Sequence, residues 1–98
     1  MLLAPLSANT LAKIIAGLAD NLVTSVCRAW YYPNGEKRAF FAPAMNTEMW
    51  NHPLTGEQVT RLMRIHGWVM IPPVEKMLMC GEYGMGAMAE LSTIVESL

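Results

Sequence analysis

Short apolar runs alternate along this chain with stretches of helical periodicity. Met1 to Ala4 is apolar throughout and has the composition of a buried strand at about half the usual length, so the chain reads as cut off at its beginning. Pro5-Leu6-Ser7-Ala8-Asn9 then turns. Leu11, Ile14, Ile15 and Leu18 follow at i, i+3, i+4 and i+7, the spacing of one buried helix face. Ser7 or Asn9 can accept the first free helix N–H groups, and Gly17 breaks the helix near its end. Asp20 can cap a second helix carrying Leu22, Val26 and Trp30, with Cys27 as a core thiol on it.

After the polar, turn-rich stretch Tyr32-Pro33-Asn34-Gly35-Glu36, residues Arg38 to Ala42 form a second apolar strand closed by Pro43. Ala44 to Trp50 starts a short helix that Pro53 terminates. Thr55 and Gln58 have the spacing of a capping box for the next helix, which ends at Gly67 and turns Val59, Leu62 and Met63 to the core. Trp68 to Ile71 is a third strand before Pro72-Pro73. Cys80 to Gly86 is a glycine-punctuated loop, and a last helix lies near Glu90 to Leu98. Strands alternating with amphipathic helices indicate βαβ units, hence a parallel sheet with helices on both faces. Ligands in such folds bind outside the carboxyl ends of the strands, where three distinctive loops of this chain all lie.

Composition sharpens the picture. With 98 residues the chain forms one domain, 1–98, near the lower end of what a single core stabilises. Counting glycine and leaving out tyrosine, about 57% of residues are apolar, above the roughly 45–50% of ordinary soluble domains. A small domain should be more polar than average, so the excess points to apolar surface destined for another subunit or another part of the same fold. Nine methionines suit such irregular contacts. Seven basic and eight acidic residues form no block of one sign, which argues against nucleic acid or an anionic membrane surface as partner. No apolar run approaches a bilayer span or a signal-peptide core, and Cys27 and Cys80 form no CxxC pair, so a disulfide framework or zinc site has little support. A reducing cytoplasm fits this pattern best.

The first loop, Ser7-Ala8-Asn9-Thr10, sets small polar side chains and free backbone N–H groups at a helix N-terminus, suited to a phosphate or ribityl oxygen or serving as an ordinary N-cap. In the second, Pro43-Ala44-Met45-Asn46-Thr47-Glu48-Met49-Trp50, the Asn46 amide can orient a carboxylate without adding charge, or cap a helix; Met49 and Trp50 suit a site, a core or an interface. The third, Cys80 to Glu90, has three glycines that let the backbone fold over a ligand or move as a flap. Its thiol, with a reference pKa near 8.5, is mostly protonated at neutral pH and can deliver a proton; the other reading is a small buried hydrophobe.

Ala4 to Lys13, Asp20-Asn21-Leu22, Arg28-Ala29-Trp30, Pro43-Ala44-Met45-Asn46 with Met49-Trp50, and Cys80-Gly81 through Gly86-Ala87-Met88-Ala89-Glu90 resemble, in order and character, the flavin-dependent cysteine decarboxylases. Within that family the resemblance is to the phosphopantothenoylcysteine decarboxylases, and it covers nearly the whole chain. It implies a Rossmann-like or flavodoxin-like three-layer α/β fold, truncated here at the N-terminus to the C-terminal portion. It further implies FMN-dependent decarboxylation of 4'-phosphopantothenoylcysteine to 4'-phosphopantetheine, a step in coenzyme A biosynthesis. By the same resemblance Ser7, Ala8, Asn9, Thr10 and Ala44 contact FMN, Asn46 binds the substrate carboxylate, and Cys80 is the catalytic acid. Family members form trimers with flavin and substrate held between subunits.

The family also has an upstream half with a phosphate-binding loop and a catalytic histidine. Neither His52, beside Pro53, nor His66, at a helix C-terminus, stands in for it. Met79, Glu82 and Met85 also depart from the family pattern around the thiol. Alone, the chain is therefore expected to be impaired or inactive. The alternative is a non-catalytic or regulatory subunit of a flavoprotein hetero-oligomer, adding its Asn46 and Cys80 loops to a histidine-bearing, full-length neighbour. A third reading, decarboxylation of a peptidyl cysteine, is disfavoured by the Ala87-Met88-Ala89-Glu90 ending.

Overall fold

The computed structural model describes residues 1–31, 37–79 and 81–98. Three parallel strands, β1 (Leu2–Leu6), β2 (Phe40–Pro43) and β3 (Val69–Met70), form a sheet in the order β1-β2-β3. Leu3 is in register with Phe41, and Phe41 with Met70. β2 is central, and Phe41, Ala42 and Pro43 are all buried, as expected of a parallel strand covered on both faces.

Successive strand residues point to opposite sides, and here they seed two cores. Phe41 joins Leu6 and Trp68 together with Leu11, Ile14, Val59 and Leu62, the last four from the inward faces of α1 (Ala8–Ala16) and α4 (Pro53–Arg64). Ala42 joins Ile71, Ala89 and Ile94, the last from α5 (Leu91–Ser97), so helices cover both faces and the sheet is the middle of three layers. The α/β class and parallel sheet expected from the sequence are present. Among the described residues no helix is long and apolar enough to cross a membrane.

Local chemistry corrects several expectations. Gly17 takes φ 78 and closes α1 with its N–H on the Ile14 carbonyl while Leu18 bonds back to Lys13, which swings Leu18 off the helix face and leaves it half exposed. The next helix, α2 (Leu22–Ala29), is capped by Asn21 rather than Asp20: Asn21 Oδ1 accepts the Thr24 N–H at 2.8 Å and Thr24 Oγ1 accepts the Asn21 N–H at 3.1 Å. That register buries Thr24 and Cys27 and turns Leu22 and Val26 outward. Asp20 instead pairs with Lys13 at 2.8 Å, and the hydrogen bond from that ammonium holds its carboxyl below the ordinary carboxylate value. The short helix does end before Pro53, as expected, and the same proline also opens α4, because proline is tolerated at a first turn. His52 caps it, Nδ1 accepting the Leu54 N–H at 3.1 Å, so Thr55 and Gln58 form no capping box; Thr55 is buried and donates to the Met49 carbonyl. Met63 faces outward. The largest correction is at the third loop. Residues on either side of Cys80 form an antiparallel hairpin of β4 (Val74–Met77) and β5 (Tyr83–Ala87).

Cys27 is the core thiol expected of it, and burial pushes its pKa above the ordinary value. In a Cys80→Ser variant, dithionitrobenzoate at pH 8 should therefore not react until denaturant is added; fast reaction of the folded variant would contradict the burial.

Candidate functional site

The site is built where β1 and β2 end. Ser7, the residue after β1, is the N-cap of α1: its Oγ accepts the Thr10 N–H at 3.2 Å and its carbonyl accepts from Leu11. Ala8 and Asn9 then present first-turn N–H groups that, among the described residues, make no hydrogen bond, the usual condition of a helix start. One strand over, the Ala44 N–H donates to the Leu6 carbonyl at 3.0 Å, continuing the β1–β2 ladder past Pro43 and fixing the two loops side by side.

Asn46 is the N-cap of α3 (Thr47–Asn51), with Oδ1 accepting the Met49 N–H at 2.8 Å. Capping and ligand binding are thus compatible here. Holding the oxygen toward the helix settles the amide's orientation, and among the described residues Nδ2 keeps both N–H bonds without a partner. Asn46 lines two cavities. One is an apolar groove of about 500 Å³ shared with Ala8, Ala12, Met49, His52 and Leu54. The other, about 340 Å³, lies under the hairpin with Thr47, Lys76, Met85 and Met88 around it.

The hairpin is pinned to the asparagine loop at backbone distance. The Met45 N–H donates to the Gly86 carbonyl at 2.9 Å, and a Cβ on Gly86 would overlap the Met45 carbonyl oxygen. A Cβ on Gly84 would overlap Thr47 Oγ1. These two glycines serve close packing, while Gly81, at φ 87, makes the turn between the hairpin strands. Cys80 lies outside the described residues. Of the other residues singled out from sequence, Ser7, Ala8, Asn9, Thr10, Ala44 and Asn46 are all brought to one rim of the sheet.

Two contributors were missed. Among the described residues Lys76 is the one charged residue lining the cavity under the hairpin, a position visible only once β4 is recognised as a strand. His52 shares the groove with Asn46, with its Nδ1 held as the α4 cap by the Leu54 N–H, which leaves Nε2 as the ring's donor.

The family model described as Flavoprotein matches residues 1–98. The chain belongs to the Flavoprotein family. A phosphopantothenoylcysteine decarboxylase of Mus musculus is 56% identical over 95 residues, which cover 97% of this chain and 45% of the mouse protein. Among solved structures, a mutant PPC decarboxylase complexed with pantothenoylaminoethenethiol is 51% identical at a TM-score of 0.87, and the FMN binding protein AtHal3 is 53% identical at 0.84. Each alignment covers 98% of this chain and 50% of the other. The chain thus spans about half the length of the relatives it matches.

Proposed function

We propose that the rim formed by the Ser7, Asn46 and hairpin loops is part of an FMN-dependent decarboxylase site for 4'-phosphopantothenoylcysteine, which yields 4'-phosphopantetheine in coenzyme A biosynthesis in the cytoplasm. The observation that carries this reading is the pair of backbone bonds, Ala44 to Leu6 and Met45 to Gly86, which hold three sequence-distant loops at the carboxyl ends of the strands. The likeness to decarboxylases of half identity and closely similar fold supports it.

The residues present fit the flavin. The free N–H groups of Ala8 and Asn9 suit the oxygens of a ribityl phosphate, Ser7, Thr10 and Ala44 are small enough for close approach, and the adjoining apolar groove suits a flat ring. When bound, FMN would supply the two-electron oxidation of the substrate's cysteinyl carbon–sulfur unit and return the electrons after carbon dioxide has left. Asn46 Nδ2 donates to the substrate carboxylate and orients it without the charge that would resist its loss. Lys76, lining the cavity under the hairpin, offers a positive charge for an anionic group of the substrate. Cys80, mostly protonated at neutral pH, delivers a proton to the product carbon.

A base is then needed from outside these residues, since His52 is committed as a cap and His66 is exposed at the far end of α4. The working unit is therefore a hetero-oligomer with a histidine-bearing, full-length homologue, in the trimeric arrangement the resemblance implies; a homotrimer of this chain alone would lack the base. With FMN supplied, the 98-residue chain alone should release no carbon dioxide from 4'-phosphopantothenoylcysteine. It should restore activity to a homologue mutated at its own loop cysteine; absence of both rescue and co-purification would count against a shared site.

Asn46 offers a sharper test, because aspartate is as good an N-cap as asparagine. Asn46→Asp should leave stability unchanged while weakening a substrate analogue at least tenfold through charge repulsion. Asn46→Ala should lose about 1 kcal/mol of stability as well. Equal binding by wild type and Asn46→Asp would remove Asn46 from the site.

A further inference from the structure

The opposite end of the sheet carries a second concave surface, independent of the decarboxylase reading. Two cavities of about 330 and 530 Å³ adjoin there and share Trp30, Tyr31, Ile65, His66 and Trp68 in their walls. They lie where β2 and β3 begin, at Ala39 and Trp68, and the four residues of β2 separate them from Ala44 by about 13 Å. Together they are lined by Arg28, Lys37, Arg38, Arg61 and Arg64, five of the chain's seven basic residues, and among the described residues by no acidic one.

Cations at this end have an ordinary use. α1, α2 and α4 all finish here, and basic residues in their last turns complement the negative helix ends. Arg28 serves in that way, its Nε lying 3.6 Å from where a Cβ of Gly17 would sit, over the end of α1. Magnitudes show that this does not account for the whole cluster. Each helix end is equivalent to about half a negative charge, so three ends offset roughly one and a half of the four arginine charges. Among the described residues the only ion pair is Lys13 with Asp20, away from this cleft, and Arg28, Arg38, Arg61 and Arg64 form none. Lys37 has an interaction of its own and is not needed for the argument.

Guanidinium groups without an ion-pair partner among the described residues, lining cavities of small-ligand size, are suited to phosphate oxygens, which match their planar forks. An exposed Tyr31 and a half-buried Trp30 flank them, giving aromatic faces on which a base can stack. We propose that this cleft binds a nucleoside polyphosphate, the arginines holding the phosphates and Tyr31 with Trp30 flanking the base.

Isothermal titration of the purified chain with ATP, inorganic tripolyphosphate and adenosine tests this. ATP should bind, weaken as ionic strength rises, and exceed tripolyphosphate several-fold, with that advantage lost in Tyr31→Ala. Arg61→Gln/Arg64→Gln should weaken ATP at least tenfold, as removing charge-assisted bonds does. Arg38→Gln, outside any helix, should weaken it as well and guards against misfolding of the first variant. Lys76→Gln, at the other rim, should leave the isotherm unchanged. No ATP binding at millimolar concentration, binding unaltered by the arginine substitutions, adenosine binding as well as ATP, tripolyphosphate equal to ATP, or loss of binding in Lys76→Gln would each overturn the proposal.

Discussion

Replacing Gly86 by alanine is expected to lift the β4–β5 hairpin off the asparagine loop and destabilise the chain by about 3 kcal/mol or more. Two causes act together. Gly86 sits at φ 126, a conformation that L side chains rarely adopt, and its Cβ would be driven into the Met45 carbonyl oxygen, which as backbone cannot rotate away. Gly84→Ala should be milder, because the atoms it meets belong to the Thr47 and Leu78 side chains. Gly67→Ala isolates the conformational part: φ is 71 but the surrounding space is open, so about 1 kcal/mol is expected. Urea denaturation of the three variants ranks them. If Gly86→Ala proves no worse than Gly67→Ala, backbone contact is not what seats the hairpin. Binding of a substrate analogue should fall in Gly86→Ala even though Asn46 is untouched, since the cavity under the hairpin loses one wall.

The second large effect is expected at Phe41. Its side chain is fully buried at the centre of the sheet, with the Trp68 ring 6.5 Å away at a tilt of 55°. Phe41→Ala removes that packing and leaves a cavity between β2 and the α1–α4 layer, at a cost of about 3–5 kcal/mol. A domain of this size has roughly 5–15 kcal/mol in all, so the variant should be close to unfolding at room temperature. Phe41→Leu keeps most of the volume and should cost about 1–2 kcal/mol. Tryptophan fluorescence during urea unfolding reads both. A loss below about 1.5 kcal/mol for the alanine variant would mean that this face is not the principal core.

Legibility of the fold from sequence followed the strength of each local signal. β2 could be read because Phe40-Phe41-Ala42 is continuous and closed by proline, and α1 because its apolar spacing is regular and ends on a glycine. On α2 the core thiol Cys27 was legible but the cap was not, because Asp20 and Asn21 are both competent caps one residue apart, and Leu22 and Val26 turn outward. Pro53 was half legible, since it follows the end of one short helix, as expected, and is also the first residue of the next. The hairpin escaped notice because Gly81, Gly84 and Gly86 look like loop residues. Two of them are glycines because another segment lies against them, a tertiary fact with no local signature. The candidate site was legible by resemblance as a set of loops. Its assembly, through Ala44 to Leu6 and Met45 to Gly86, uses backbone atoms and leaves no mark on residue type. The basic cleft was invisible for another reason: Arg28, Arg38, Arg61 and Arg64 form no charge run, and only the folding of three helix ends onto one side collects them.

One feature of the rim makes its motions separable. The amides of Ala44 and Met45 are neighbours in the chain, yet one is tied to β1 and the other to the hairpin. Hydrogen exchange at Ala44 reports the parting of the central strands, which comes only with global opening, while exchange at Met45 also reports a local excursion of the hairpin. Two adjacent peptide positions therefore act as paired clocks: the protection factor at Met45 gives the free energy of lifting the cover from the cavity beneath it, and its ratio to that at Ala44 shows how far this motion lies below global opening.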